Sequence, residues 1–231
     1  MNKQKTILVV GASRGIGKSI VDQLAENPRH TVTALARNRE ALDQAFSSKE
    51  NVSVAEFDLS TNVHEQLNSL LSAVEHVDIL INNAGFLVNK PFVELNTKEL
   101  QHSYQVNVIG VMQTVQAILP KMSLNGGHIV NISSMGGIQG TVKFPGLSAY
   151  STSKAALCSF TELFAEEYKG STIAMNCLAL GAAQTEMLNE AFPGYKAPLS
   201  AYEMAEFIVQ FSLTGHKWFN GKILPVSLST P

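Results

Sequence analysis

The stretch "TILVVGASRGIGKSI", residues 6–20, runs from five apolar or β-branched residues through a glycine-rich turn into an amphipathic segment. Thr6–Val10 reads as a strand that is apolar on both faces, the pattern of a covered parallel sheet. The segment "KSIVDQLAE" reads as a helix. Between them, Gly11, Gly15 and Gly17 let the backbone turn sharply and approach a pyrophosphate. The helix that follows aims free N–H groups and the positive end of its dipole at the same point. Ser13, Arg14 and Ile16 complete, with the three glycines, a candidate dinucleotide cradle.

Outward from this turn the same alternation repeats. "TVTALA" (31–36), "VSVAEF" (52–57), "VDILI" (77–81), "HIVNIS" (128–133), "TIAMNCL" (172–178) and "KILPV" (222–226) read as strands. Helix-like segments fall near 15–27, 38–46, 61–74, 97–122, 150–169 and 201–213. Strand–helix alternation with short connections predicts right-handed βαβ units. The expected fold class is α/β: a doubly wound Rossmann-type parallel sheet of about seven strands with helices on both faces. Pro225 suits an edge strand. In such sheets ligands bind beyond the carboxyl ends of the strands. A single domain over residues 1–231 is expected at this length.

Composition narrows the function classes. With 45% hydrophobic and 16% charged residues, the chain can bury a full core. A net charge of −2 carries no basic footprint for nucleic acid. Cys158 and Cys177 lie in apolar runs and read as reduced core residues of a cytoplasmic protein. The apolar run at the N-terminus stops at Gly11, so neither a signal peptide nor a membrane partner is expected. Six histidines are scattered without ligand spacing, and no metal site is expected.

The segment "SAYSTSKAAL", residues 148–157, sets Tyr150 and Lys154 four positions apart. On a helix that places them on one face, about 5–6 Å apart at Cβ. A unit charge at about 4 Å and an effective dielectric of 20 is worth roughly 4 kcal/mol. That is about three pKa units, enough in principle to draw a phenol toward neutrality.

The glycine spacing G-x-x-x-G-x-G, "NNAG" (82–85), Asn107 in "YQVNVIG", Ser134 in "VNISSMGG" and the Y-x-x-x-K pair together resemble the short-chain dehydrogenase/reductase family, NADP(H)-type, close to carbonyl and 3-oxoacyl reductases. The resemblance covers essentially the whole chain. It implies Asn107, Ser134, Tyr150 and Lys154 as catalytic residues. Asn83, Ala84 and Gly85 would line the cofactor, and Gly181 and Thr185 would reach the nicotinamide carboxamide. Tyr150 and Lys154 would touch the cofactor as well. Ser134 is preferred over Ser133 because Gly137 follows it at the family's spacing. Asn107 would hold a water linking Lys154 to solvent.

Cofactor choice follows from charge. An NAD site needs a carboxylate about 20 residues past the glycines; this chain has Ala36 and then Arg37. Arg37 and Arg14, with no acid, suit a 2′-phosphate, so NADP(H) is expected. Asp58 reads either as an adenine-binding aspartate or as an acid at a helix N-terminus.

The function expected is NADPH-dependent reduction of a ketone or aldehyde to an alcohol, reversibly, with Tyr150 as general acid/base. The alternatives are a non-catalytic NADP(H)-binding sensor and a purely structural oligomer. Three features depart from the family pattern: Leu180 where a proline is usual, a longer loop from Ser134 to Tyr150 carrying Lys143 and Phe144, and a C-terminus without Gly-Gly. Residues about 185–200 read as a short substrate lid. A homodimer or homotetramer is expected, acting on a small carbonyl or alcohol. A 3-oxoacyl thioester, a simple ketone and a fused-ring carbonyl all stay open.

Overall fold

Successive side chains of a strand face opposite ways, and in the first strand both directions are buried. Ile7 and Val9 join one apolar cluster, while Leu8 and Val10 join another on the opposite side. A strand covered twice has no polar face to show, which is why its sequence does not alternate. The computed structural model describes residues 4–122 and 126–228. The ends of the expected 1–231 domain, including the basic start and the last three residues of "NGKILPVSLSTP", lie outside the described residues.

In chain order the elements are β1 (Lys5–Val10), α1 (Gly15–Leu24), β2 (His30–Ala36), α2 (Arg39–Phe46), β3 (Val52–Glu56), α3 (Val63–Leu70) and β4 (Ile79–Asn82). Then come α4 (Thr97–Tyr104), α5 (Gly110–Met122), β5 (Gly127–Ser134), α6 (Ser148–Glu167) and β6 (Ile173–Leu180). A two-residue strand β7 (Ala183–Gln184), α7 (Glu186–Ala191), a two-residue strand β8 (Leu199–Ser200), α8 (Ala201–Thr214) and β9 (Ile223–Val226) complete the described chain.

Seven strands form one parallel sheet in the order β3-β2-β1-β4-β5-β6-β9, while β7 and β8 pair separately. The fold is the expected Rossmann-like α/β sheet with helices on both faces. One core cluster is built from α1, α2 and α8, with Ile20, Leu42, Phe46 and Ile208. The other is built from α3, α5 and α6, with Leu67, Ile118 and Phe164. Each such side chain, fully buried, contributes about 1.5–3 kcal/mol of transfer free energy. Strand order reverses between β1 and β4, so their carboxyl ends flank the crevice where such sheets take ligands.

Pro225 lies on β9, the edge strand, opposite Ala179. The helix expected over 97–122 forms without interruption, with one π turn inside it. α4 ends at Tyr104, and a π turn over Gln105–Ile109 precedes α5. The π turn packs closely on the loop after β3: a Cβ on Gly110 would lie 2.5 Å from the Leu59 carbonyl oxygen, and Gln105 Nε2 donates to that oxygen at 3.0 Å. The helix expected over 61–74 is shorter, starting behind the capping side chain of Asn62. Asn38, Asn96 and Ser200 cap α2, α4 and α8 in the same way. α1 and α6, the two helices that border the site, have no side-chain cap.

Candidate active site

The cradle is assembled at the carboxyl ends of β1 and β4. Gly11 has φ +86°, and its N–H donates to the Leu35 carbonyl at 2.7 Å. A Cβ there would lie 2.5 Å from the Ala84 Cα, so the turn and the "NNAG" segment touch backbone to backbone. At Gly17 a Cβ would fall on the Gly11 carbonyl oxygen. Asn83 donates from Nδ2 to that same oxygen at 2.8 Å, while its N–H bonds the Val10 carbonyl at 3.0 Å. Asn82 and Asn131, paired across β4 and β5, are joined by a side-chain bond of 2.9 Å, and Asn131 bonds Thr161 at 3.0 Å. Ser13 and Ile16 are half-buried in the turn. The result is a glycine-lined turn at the uncapped start of α1, with the Thr185 and Glu186 side chains 3.3–3.5 Å from the Cβ position of Gly15, a backbone arrangement that suits the pyrophosphate of a dinucleotide.

Beyond β2, Ala36 is buried and Arg37 is exposed, with no acid at the ribose position. Arg14 is engaged elsewhere: its Nη1 and Nη2 bond the Glu190 carboxylate at 2.5 and 3.1 Å. Only Arg37 of the two arginines is therefore unpaired among the described residues. Asp58 serves its own loop, accepting at Oδ1 from the Ser60 N–H at 2.8 Å and the Ser60 hydroxyl at 2.7 Å. It is not the N-terminal acid of a helix, because α3 begins behind Asn62 four residues later.

The four residues expected to be catalytic converge between β5 and α6. Ser134 is the last residue of β5, and its Oγ accepts from the Gly136 N–H at 3.2 Å. Tyr150 and Lys154 share one face of α6, with Nζ 5.8 Å from the phenol ring centroid. Lys154 is buried and donates to the Ile132 carbonyl at 2.7 Å. Burial pulls its ammonium down to about 8, against the pull of Cys177 and Cys158. Burial also pushes the Tyr150 hydroxyl up to about 12, and the Ser134 hydroxyl only partly offsets it. The expectation of a phenol drawn toward neutrality by Lys154 is thus not met by the protein's own groups. The ammonium is directed at the Ile132 carbonyl, and burial is the largest influence on each group.

Asn107 sits in the π turn and is fully buried. Its Oδ1 accepts from the Phe86 N–H at 2.7 Å, and its Nδ2 donates to the Phe86 carbonyl at 2.9 Å and to Ser153 Oγ at 2.9 Å. The side chain thus secures the segment after "NNAG" to α6. Gly85 adjoins both groups: its Cβ position is 3.5 Å from Lys154 Nζ and 3.6 Å from Asn107 Oδ1.

Several contacts around these residues have no counterpart in the sequence reading. Ser133 donates to the Lys154 carbonyl at 2.8 Å and takes a bond from Cys158 at 3.3 Å. Cys158 and Cys177 are free and buried, with sulfurs 3.9 Å apart. The Cys158 thiol is held below its ordinary range, chiefly by its hydrogen bond with Cys177. Lys143 does not reach out toward a substrate. It folds back on its loop, donating to the carbonyls of Gly136 at 3.0 Å and of Ile138, and to Thr141 Oγ1 at 2.8 Å. Leu180 extends β6 by pairing with Ser134 and Val226, and Gly181 N–H continues that ladder to Val226 at 2.9 Å. Thr185 caps α7, accepting from the Leu188 N–H at 3.2 Å. Asn89 donates to the Ala191 carbonyl at 2.8 Å and so ties the segment after β4 to α7. The only signal for these partners is their type, polar residues inside apolar or loop sequence.

A glycine turn lies at the topological switch point of a parallel α/β sheet, and a Ser/Tyr/Lys cluster lies between β5 and α6. Comparison with models of protein families matches residues 5–196 to the short chain dehydrogenase family. The chain belongs to that family. It is 28% identical to the 3-oxoacyl-[acyl-carrier-protein] reductase of Chlamydia trachomatis over 96% of this chain and 95% of that protein. It is 32% identical to a fatty acyl-CoA reductase of Acinetobacter baylyi over 90% of this chain and 72% of that protein. Among solved structures, a short chain dehydrogenase from Shigella flexneri complexed with NADP superposes with a TM-score of 0.85. That protein is 27% identical, over 96% of this chain and 97% of its own. Among the described residues no helix is long and apolar enough to cross a membrane.

Proposed function

We propose that the protein reduces a ketone or aldehyde to an alcohol with NADPH, reversibly, and that Asn107, Ser134, Tyr150 and Lys154 carry the reaction. The observation behind this reading is the placement of the Ser134 and Tyr150 hydroxyls at the carboxyl end of β5, with Lys154 behind them. The names of the reductases from Chlamydia and Acinetobacter, and the NADP in the Shigella structure, point the same way. When bound, the nicotinamide supplies or accepts the hydride.

The protein's own residues handle the oxygen and the proton. Ser134 donates a hydrogen bond to the substrate oxygen, where negative charge develops. Tyr150, protonated because burial holds its hydroxyl up at about 12, donates a proton to the nascent alkoxide. Lys154, with its ammonium at about 8, replaces that proton and bonds the nicotinamide ribose. Asn107 fixes the backbone at Phe86, which keeps Gly85 against Lys154. The hollow bounded by Gly11, Gly15, Gly17, Asn83 and Ala84 takes the pyrophosphate, with Ser13 and Ile16 on its rim. Arg37, assisted by Arg14, takes the 2′-phosphate, and Asp58 borders the adenine. Gly181 and Thr185 flank the carboxamide, and residues 185–200 form a lid on the single domain.

The exposed Leu163 on α6, together with Tyr104 and Ile109 around the π turn, favours a homodimer or homotetramer. The substrate is a small carbonyl compound, and the protein works in the cytoplasm. NADPH consumption over a panel of simple ketones, 3-oxoacyl thioesters and fused-ring ketones tests the reading. Turnover with NADPH in preference to NADH is the expected result. Tight NADPH binding with no turnover on any member favours a sensor, and a preference for NADH overturns the cofactor assignment.

A further inference from the structure

The face of α7 that overlies the phosphate hollow is acidic. Glu190 takes both terminal nitrogens of Arg14, at 2.5 and 3.1 Å, across 176 positions of sequence. Glu186, one helical turn earlier, brings Oε2 to 3.3 Å from the Cβ position of Gly15. Two carboxylates therefore face a hollow whose backbone chemistry calls for a phosphate anion. The end of α7 is also tied down, since Asn89 donates to the Ala191 carbonyl at 2.8 Å. The arrangement holds Arg14 away from any phosphate and keeps α7 down on the glycine turn.

We infer that Glu190 is a positioning residue that competes with a 2′-phosphate for Arg14, so that the phosphate displaces it and thereby loosens α7, and that it tempers the preference for a 2′-phosphorylated cofactor. The inference rests on the NADP(H) reading above. One guanidinium face presents a single pair of parallel N–H donors, so a carboxylate and a phosphate compete for it. A phosphate near its second ionisation carries about −1.5 to −2 charge against −1 for Glu190, and it prevails. A ribose 2′-hydroxyl carries no charge and leaves the pair closed. Glu190 thus weakens the hold on a 2′-phosphate, which must displace it from Arg14, and leaves cofactors that lack that phosphate unaffected. Arg14 and Glu190 are both about half exposed or more, so the swap needs no buried charge to be stripped of its partner.

Calorimetric titration with adenosine 2′,5′-bisphosphate and with 5′-AMP tests this without turnover, since the two probes differ only in the 2′-phosphate. Glu190→Gln should bind the bisphosphate about two- to fivefold tighter, which is about 0.4–1 kcal/mol, the range of a well-formed exposed pair. Its affinity for 5′-AMP should not change. In an Arg14→Ala background the gain should vanish, because the competed group is gone. Trypsin cleavage after Lys196, in the exposed segment following α7, should quicken in the native protein with the bisphosphate and not with 5′-AMP.

An equal gain for both probes, or a gain that survives Arg14→Ala, means general charge repulsion and overturns the inference. Unchanged bisphosphate affinity in Glu190→Gln, or slower trypsin cleavage with that probe, overturns it as well. If the native protein binds both probes alike and prefers NADH, the cofactor reading itself fails. A retained bisphosphate preference with an inert Glu190→Gln removes this inference alone.

Discussion

Asn107 and Phe86 form a two-point clasp: the side-chain carbonyl of one takes the backbone N–H of the other, and the side-chain amide returns a bond to its carbonyl, at 2.7 and 2.9 Å. A buried amide thereby replaces the strand partner that the chain loses on leaving β4. Asn107 holds this clasp from within the π turn of Gln105–Ile109.

Asn107→Ala should destabilise the fold by about 2 kcal/mol, because it leaves two backbone groups of Phe86 and the Ser153 hydroxyl with a lost partner. The midpoint of urea unfolding reads this directly. Asn107→Asp keeps the acceptor and loses both donors, so its midpoint should fall between those of Ala and the native protein.

Tyr150→Phe should lower kcat by about 10²- to 10⁴-fold, the usual range for removing a general acid. Its affinity for NADPH, followed by fluorescence titration, should stay within about twofold, because the phenyl ring still fills the same face of α6. Turnover near the native level would remove Tyr150 from the proton path.

Lys154 predicts a conflict between stability and activity. Its folded pKa of about 8 lies below the ordinary 10.5, so the native state binds fewer protons than the unfolded chain between those values. Stability therefore rises as pH climbs from 8 to 10.5, and below 8 the buried charge costs about 3 kcal/mol. Lys154→Met should raise the unfolding free energy at pH 7 by about 1–2 kcal/mol while abolishing turnover; the gain is below the full penalty because the Ile132 carbonyl loses its donor. A lower unfolding midpoint for this variant would contradict the sign.

The opposite end of the sheet should set the acid limit. His128 is buried and neutral: Nδ1 bonds the Ser212 carbonyl at 2.9 Å and Nε2 meets the Asn176 amide at 3.1 Å. Burial takes it down to about 4 from the ordinary 6.5. The stability this group supplies is complete above 6.5 and is lost as pH falls through 4, with about 2 kcal/mol gone at pH 5. His30 and His216 are lowered by burial as well and add in the same direction. His128→Gln should flatten the pH dependence of the unfolding midpoint between 5 and 7.

Much of this architecture is written in local sequence. The continuous apolar runs mark strands covered on both faces because a period of two, buried on both sides, leaves no polar position. Gly11 and Gly17 are legible because a backbone that must approach another backbone excludes Cβ, and no other residue meets that demand. Tyr150 and Lys154 are legible because four positions make one helical turn. Pro225 announces an edge strand through its missing N–H.

What the sequence could not carry is set by distance along the chain and by burial. The Asn107–Phe86 clasp, the bond from Gln105 to the Leu59 carbonyl and the bond from Arg14 to Glu190 join segments whose meeting depends on strand order. The polarity of Tyr150 and Lys154 foretold attraction between a phenol and an ammonium. The folded environment decided otherwise, because desolvation acts on both groups and Ile132 takes the ammonium's hydrogen bond. Local sequence thus determined on which elements the candidate residues stand. Tertiary structure alone decided which of them are buried, which are paired, and that α7 lies against the glycine turn through Glu186 and Glu190, since charge energies depend on the dielectric and neighbours that only packing supplies.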